Sequence, residues 1–193
     1  MEASSLLNER QRMYRRTIPC SKSVLSADDD FVKFYESLIP TEDEMQREGL
    51  RKSLKEVVAM LLPQAELFVY GSSATLLGFK TSDINMCVVV DDDANRIEDT
   101  LFFLETLATI LKDKFDDVKV VKDEVPKLKF KDFKTGIPCD ISVNNQLALE
   151  NTKLVNSYRE IDPRLPQLVV IVKKWAKSRG VNDAFKQTRS SYA

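Results

Sequence analysis

The run Asp83-Ile84-Asn85-Met86-Cys87-Val88-Val89-Val90 is strand-like, and its second half is apolar on both faces. A strand of that kind has no face to give to water, so it has to lie inside a sheet covered by other elements. That requirement organises the rest of the chain. Glu66–Tyr70 ("ELFVY") reads as a strand that ends in the turn Gly71-Ser72-Ser73. Val118–Val121, Lys127–Phe133 and Pro138–Val143 read as short strands, the last two joined by the turn "KTGIP". Helical patterns surround them. Residues 1–17 read as a helix with sparse apolar positions. "SADD" (Ser26 to Asp29) is a capping box before "FVKFYESLI", and "TEDE" (Thr41 to Glu44) opens a long helix to about Leu62. Gly71 to Lys80 reads as a turn and a short helix. Ile97, Leu101, Leu104, Leu107 and Leu111 repeat at helical spacing within about 96–115. Helices over about Gln146–Tyr158 and Pro163–Arg179 follow, with Pro163 in a first turn and Gly180 at a C-cap. The order predicts an α+β (mixed α/β) fold, a small sheet with flanking helices.

The chain has 193 residues, 43% hydrophobic and 31% charged, in the range of a soluble globular protein. No apolar run nears the ~18 residues that span a bilayer. The first residues lack the apolar core of a signal peptide. A cytoplasmic location, or a nuclear one, is therefore expected, with no membrane partner. Cys20, Cys87 and Cys139 form no C-x-x-C pair, which suits reduced structural thiols. There is no histidine. Ser-His-Asp and Cys-His chemistry are excluded within this chain, and a metal would be held mainly by oxygen, which favours Mg²⁺ or Mn²⁺. Net charge is −1, yet from Ile161 onward seven basic residues (Arg164, Lys173, Lys174, Lys177, Arg179, Lys186, Arg189) face only Asp162 and Asp183. Such a cluster serves a polyanion or is a solvated helix face.

Positions 83 and 85 share one face of a strand, because side chains alternate; Ile84 and Met86 then point into the core. Asp140 stands mid-strand between Cys139 and Ile141. A buried carboxylate there wants a cation or hydrogen-bond donors. If the two strands are neighbours, Asp83, position 85 and Asp140 converge. Three carboxylates in that arrangement hold two Mg²⁺ ions about 4 Å apart for phosphoryl or nucleotidyl transfer. The Gly71-Ser72 turn would offer backbone N–H groups and a hydroxyl to phosphates. Taken singly, the turn is an ordinary turn and Asp83 a solvated strand end.

Together, "GSSATLLGFKTSDIN", "CDISVNNQLALENTKLVNSYREIDPRLPQL", "VIVKKWAKSRGVND" and "SSYA" resemble the terminal uridylyltransferases and cytoplasmic poly(A) polymerases of the polymerase-β-type nucleotidyltransferase superfamily. The likeness covers about residues 30–193, and "NNQLALENTKL" and "VKKWAKSRGVND" look closest to the uridylyltransferase branch. It implies a polymerase-β-like sheet with flanking helices plus the start of a helical second domain. The divisions would be a helical extension over 1–25, a nucleotidyltransferase domain over 26–145, and an incomplete helical domain over 146–193. It implies Gly71 and Ser72 on the triphosphate, and a metal triad at Asp83, position 85 and Asp140. Asn151 and Thr152 would meet the base and ribose, and Lys173 and Lys177 the phosphates. Ser191 would bind phosphate and Tyr192 stack on the base. Lys173 and Lys177 are four apart on one helix face, and Tyr192 offers a π-face. Without the likeness, the lysines read as surface residues and Trp175 as a core residue. The implied reaction adds UMP from UTP to an RNA 3′ end, with Mg²⁺ or Mn²⁺. Adenylyl transfer by the same machinery, and a non-catalytic RNA-binding or scaffold role, are the alternatives.

Two places depart from the family pattern. The second triad position, normally aspartate, is Asn85, whose amide brings no negative charge. The "GTLSSY"-like segment reads "QTRSSY", with Gln187 and Arg189 replacing small and apolar residues. The family's later helices, and the histidine that favours uracil, are expected beyond Ala193. Asn85 then reads as a change introduced to trap substrate, as a natural change in a non-catalytic binder, or as the mark of a divergent member. The changes at 187 and 189 favour divergence. The expectation is a chain that is weakly active or inactive on its own.

Overall fold

A computed structural model describes residues 25–39, 44–90, 97–162 and 164–182. Helix α1 spans Leu25–Leu38 and α2 Glu44–Leu61; then come strands β1 (Glu66–Tyr70) and β2 (Ile84–Val89). Helix α3 (Ile97–Leu111) leads to β3 (Phe115–Val121), β4 (Lys127–Asp132) and β5 (Pro138–Val143), and α4 (Gln146–Ile161) and α5 (Leu165–Arg179) complete the order. The strands form one sheet in the order β1-β2-β5-β4-β3. Only β2 and β5 run parallel; the other pairs are antiparallel. The two strands expected to carry the acids are thus neighbours at the centre, and the apolar run does sit inside the sheet.

Alternation decides which face is covered. Ile84, Met86 and Val88 of β2, Cys139 and Ile141 of β5, and Leu128 and Phe130 of β4 are buried in one cluster. Leu54 and Val58 of α2 and Leu104, Leu107 and Leu111 of α3 close it. Each fully buried side chain of this size contributes ~1.5–3 kcal/mol. A second cluster joins Tyr35 of α1, Ile39 just after it, Leu77 and Phe79 of the β1–β2 connection, and Val170 of α5. The intervening residues of β2, β5 and β4 are left for the opposite face of the sheet. Cys87 and Cys139 are buried free thiols, and burial pushes the Cys139 thiol up to about 12. No helix among the described residues is long and apolar enough to cross a membrane.

Several boundaries differ from expectation. Helix α1 begins at Leu25, so "SADD" lies within its first turns rather than ahead of them. Residues 71–76 are a succession of turns, and no helix forms between Gly71 and Lys80. The Gly71 carbonyl accepts from Ala74 N and Thr75 N, both at 3.1 Å, and the next bond, from Leu77 N to the Ser72 carbonyl at 3.2 Å, spans five residues and so departs from helical spacing. Helix α3 stops at Leu111, because Phe115 opens β3 and sets its ring against Phe130, centroids 4.8 Å apart. Helix α4 runs on to Ile161, and the proline in the first turn of α5 is Pro166. Gly180 does end α5, with φ 64°, and Val181 N–H returns to the Ala176 carbonyl at 3.1 Å. Trp175 is not core: it is 57% exposed, on the same side of α5 as Leu168 and Val172. The expected helix over 1–17, the cap residues 41–43, and Pro163, Gln187, Arg189, Ser191 and Tyr192 lie outside the described residues.

Candidate functional site

Register places the site. Tyr70 pairs with Asn85, Asn85 with Asp140, Asp140 with Lys129, and Lys129 with Lys119. Directly paired residues share a face, so these five form a row across the sheet, on the side away from the main core. Asp83 stands one residue ahead of β2, and its carbonyl accepts from Ser73 Oγ at 2.9 Å. The Gly71–Asp83 connection is therefore closed on itself at the mouth of the row.

Asp140 has the cation its burial demands. Lys129 Nζ donates to Asp140 Oδ2 at 2.8 Å. The carboxylate side chain is 10% exposed and the lysine side chain 40%. A half-buried pair of this kind is less screened than a surface pair. Asn85 lies on the other flank of Asp140 and adds no charge. The donor set at the row is thus two carboxylates and one amide, with one carboxylate already paired to a lysine. Among the described residues, no group of three or more His, Cys, Asp or Glu is arranged to hold a metal ion. These residues do not fit a two-metal site.

A cleft of about 980 Å³ opens beside the row. Ser72, Asp83, Asn85, Lys173 and Lys177 of the expected set line it. Lys173 Nζ donates to the Leu77 carbonyl at 3.2 Å and sits 5.6 Å from the Phe79 ring centroid, with Lys177 Nζ at 5.4 Å. Burial, then repulsion from Lys177, holds the Lys173 ammonium below its ordinary range; Asp83 opposes this. The charged residues lining the cleft are Lys127, Arg159, Lys173 and Lys177 against Asp83 and Asp162. Asp162 is engaged by Arg164 Nη2 at 2.7 Å.

Other expected residues lie elsewhere. Gly71, with φ 70°, is buried behind the turn. Its N–H, expected to face phosphate, instead donates to Thr152 Oγ1 at 2.9 Å. That hydroxyl in turn donates to the Ala148 carbonyl at 2.7 Å. Thr152 is buried and Asn151 exposed, and neither lines the cleft. Thr152 is the strut that ties α4 to the turn after β1. Thr152→Val leaves the Gly71 N–H buried without an acceptor. It is expected to lower stability by about 1–2 kcal/mol in urea unfolding, with Thr152→Ser close to wild type. A valine variant as stable as wild type would remove that role.

Sequence reasoning missed three contributors. Lys129 alternates with Leu128 and Phe130 in β4 and reads as the solvent half of an ordinary strand. Arg47, 7% exposed, donates from Nη2 to the carbonyls of Lys80 at 2.9 Å and Ser82 at 2.8 Å, pinning the approach to Asp83. It reads as one charge among many on α2. Tyr70 lines the cleft at the end of the row, and its alternation in β1 was the available signal.

A central parallel strand pair, with Asp140 on one strand and Asp83 just ahead of the other, lies beside a cleft with a basic lining. Residues 28–160 match the model of the mitochondrial-like poly(A) RNA polymerase central palm domain, and the chain belongs to that family. It is 30% identical over 155 residues to poly(A) RNA polymerase GLD2 of Danio rerio, covering 79% of this chain and 32% of that protein. It is 30% identical over 184 residues to terminal uridylyltransferase cid1 of Schizosaccharomyces pombe, covering 90% of this chain and 45% of that protein. Among solved structures, Cid1 poly(U) polymerase with MgGTP bound superposes with TM-score 0.76 at 29% identity, over 88% of this chain and 53% of the other. The non-canonical poly(A) polymerase complex GLD-2–GLD-3 gives TM-score 0.75 at 29% identity, over 85% and 54%. The chain therefore spans less than half the length of the two named curated relatives. The polymerase-β-like fold stands, and so does membership of a family of RNA 3′-terminal nucleotidyltransferases.

Proposed function

We propose that this chain is the nucleotide-holding palm of an RNA 3′-terminal uridylyltransferase whose transfer step is weak. The observation that carries this is the neutral Asn85, opposite Asp140 in register, at the edge of a cleft walled by Lys173 and Lys177. The lysines have the charge and the separation to take a triphosphate, and Ser72 offers a hydroxyl from the facing turn. On this reading Asp83, which lines the cleft, and Asp140, paired in register with Asn85, are the carboxylates that would attend the transfer step. The Cid1 poly(U) polymerase, to which the chain is similar, has been solved with MgGTP bound. Here the neutral Asn85 leaves Asp83 and Asp140 without a third carboxylate. Relatives of both specificities are similar at 30%, so the preference for UTP over ATP rests on "NNQLALENTKL" and "VKKWAKSRGVND" alone.

The test is a tailing assay of this chain with a short RNA, Mg²⁺ or Mn²⁺, and UTP or ATP. The expected result is slow addition of UMP, in excess of AMP. Robust tailing overturns the weakened step. Equal addition of both nucleotides overturns the uridylyl preference. RNA retention that weakens steeply with salt, with no tailing and no dependence on Asp83 or Asp140, supports the non-catalytic reading instead.

A further inference from the structure

The charge pattern around the row differs from that of a site built to hold two divalent ions. Such a site concentrates carboxylates so that their mutual repulsion is relieved by metal. Here the repulsion is already relieved. Asn85 removes one charge, and Lys129 Nζ, at 2.8 Å, compensates Asp140. Of the two acids lining the cleft, Asp162 is paired with Arg164. Asp83 is left facing a wall that carries Lys127, Arg159, Lys173 and Lys177. The lining of the cleft is therefore net basic. In an ordinary acid-rich site, a free triphosphate meets carboxylates and needs Mg²⁺ to bridge the two sets of negative charge. In this cleft the same triphosphate meets an excess of cations.

From this juxtaposition we propose that the cleft binds a nucleoside triphosphate without a divalent metal ion, with the Lys129 ammonium supplying the positive charge that compensates Asp140. The proposal rests on the reading of the cleft as a nucleotide site, and it adds the ionic form of the ligand. Lys129 neutralises the carboxylate next to the cleft, Lys173 and Lys177 hold the phosphates, and the aromatic rings of Tyr70 and Phe79 in the lining offer apolar surface to the nucleoside. Asp140 then has a different duty from that of a metal ligand. It anchors Lys129 by charge and register, and so keeps a cation at the centre of the sheet.

The measurement is titration of the whole chain with UTP by calorimetry, once in EDTA and once in excess Mg²⁺. The expected dissociation constants agree within about threefold. Lys129→Met keeps the length of the side chain and removes the charge. It is expected to weaken UTP binding in EDTA by about tenfold and to make binding depend on Mg²⁺, with the melting temperature recorded for each protein. Binding by the unaltered chain only when Mg²⁺ is present overturns the proposal and leaves the nucleotide site standing. Absence of binding in both buffers overturns the proposal together with the nucleotide reading. Because the wild-type comparison needs no variant, a Lys129→Met protein that does not fold leaves the answer intact. Wild-type binding insensitive to metal, with a Lys129→Met protein that folds and binds equally in EDTA, would overturn the part assigned to Lys129.

Discussion

Asn85→Asp raises Mg²⁺ affinity at least tenfold, by about 1.4 kcal/mol or more, and speeds the slow tailing of the unaltered chain. The argument is local charge. Asp140 lies directly opposite position 85 on the neighbouring parallel strand, and Asp83 stands two residues before it. A new carboxylate there brings a third anion to the row. Two unit charges about 4 Å apart interact by ~4 kcal/mol at an effective dielectric constant of 20, and a divalent ion doubles the attraction. Desolvation and the displacement of Lys129 Nζ from Asp140 offset much of that gain. Without metal the sign reverses: like charges on adjacent strands repel, so the variant is expected to melt below wild type in EDTA. Mg²⁺ should then raise its melting temperature more than it raises that of wild type, because the ion binds the folded state alone. Calorimetry with Mg²⁺ and a thermal melt in both buffers read the two effects. Unchanged metal affinity would mean that Asp83, position 85 and Asp140 do not act as one donor set.

How far the fold could be read from the chain depended on whether the deciding contact was local. The bounds of β1 and β5 were legible because Gly71 and Pro138 punctuate them, and the buried alternation of Ile84 and Met86 was legible from period two alone. That Asp140 needed a cation followed from burial. That Lys129 supplies it did not, because the β4–β5 register is a tertiary fact and a lysine alternating along a strand has no local mark. The Gly71–Lys80 segment has the composition of a helix start. It stays in turns while long-range partners hold its ends: Thr152 takes the Gly71 N–H, Arg47 takes the Lys80 carbonyl, and the Lys80 N–H donates to the Leu38 carbonyl at 3.0 Å. The same kind of contact engages Thr152, expected at the nucleotide, in the fold itself. Its hydroxyl is used by a backbone group 81 residues away. Trp175 was misjudged for the opposite reason: an aromatic residue in a helix is usually covered, and nothing local shows which side of α5 meets the β1–β2 connection.

Lys173→Met with Lys177→Met lowers UTP affinity more than tenfold and flattens its dependence on salt. Both ammonium groups line the cleft within 5.6 Å of the Phe79 ring centroid, on consecutive turns of α5. Each charge-assisted contact to a phosphate contributes about 1.5–3 kcal/mol, so losing two exceeds a tenfold change comfortably. Lys173 also donates to the Leu77 carbonyl, which ties α5 to the β1–β2 connection, so a modest fall in melting temperature is expected alongside. The two effects separate in the single variants. Lys177 makes no such bond to the turn, and Lys177→Met should lose affinity with stability unchanged. Burial and Lys177 depress the Lys173 ammonium below its ordinary range, so its charge is lost at a lower pH than that of a solvated lysine. Nucleotide affinity should therefore hold at neutral pH and fall on the alkaline side before exposed lysines titrate. Bound triphosphate, favouring the charged form, should move that fall to higher pH. Removing Lys177 relieves one cause of the depression, so in Lys177→Met the alkaline limb should shift upward even as the affinity drops. An alkaline limb that is identical in wild type and Lys177→Met would separate the two lysines and place the phosphates on other cations of the cleft.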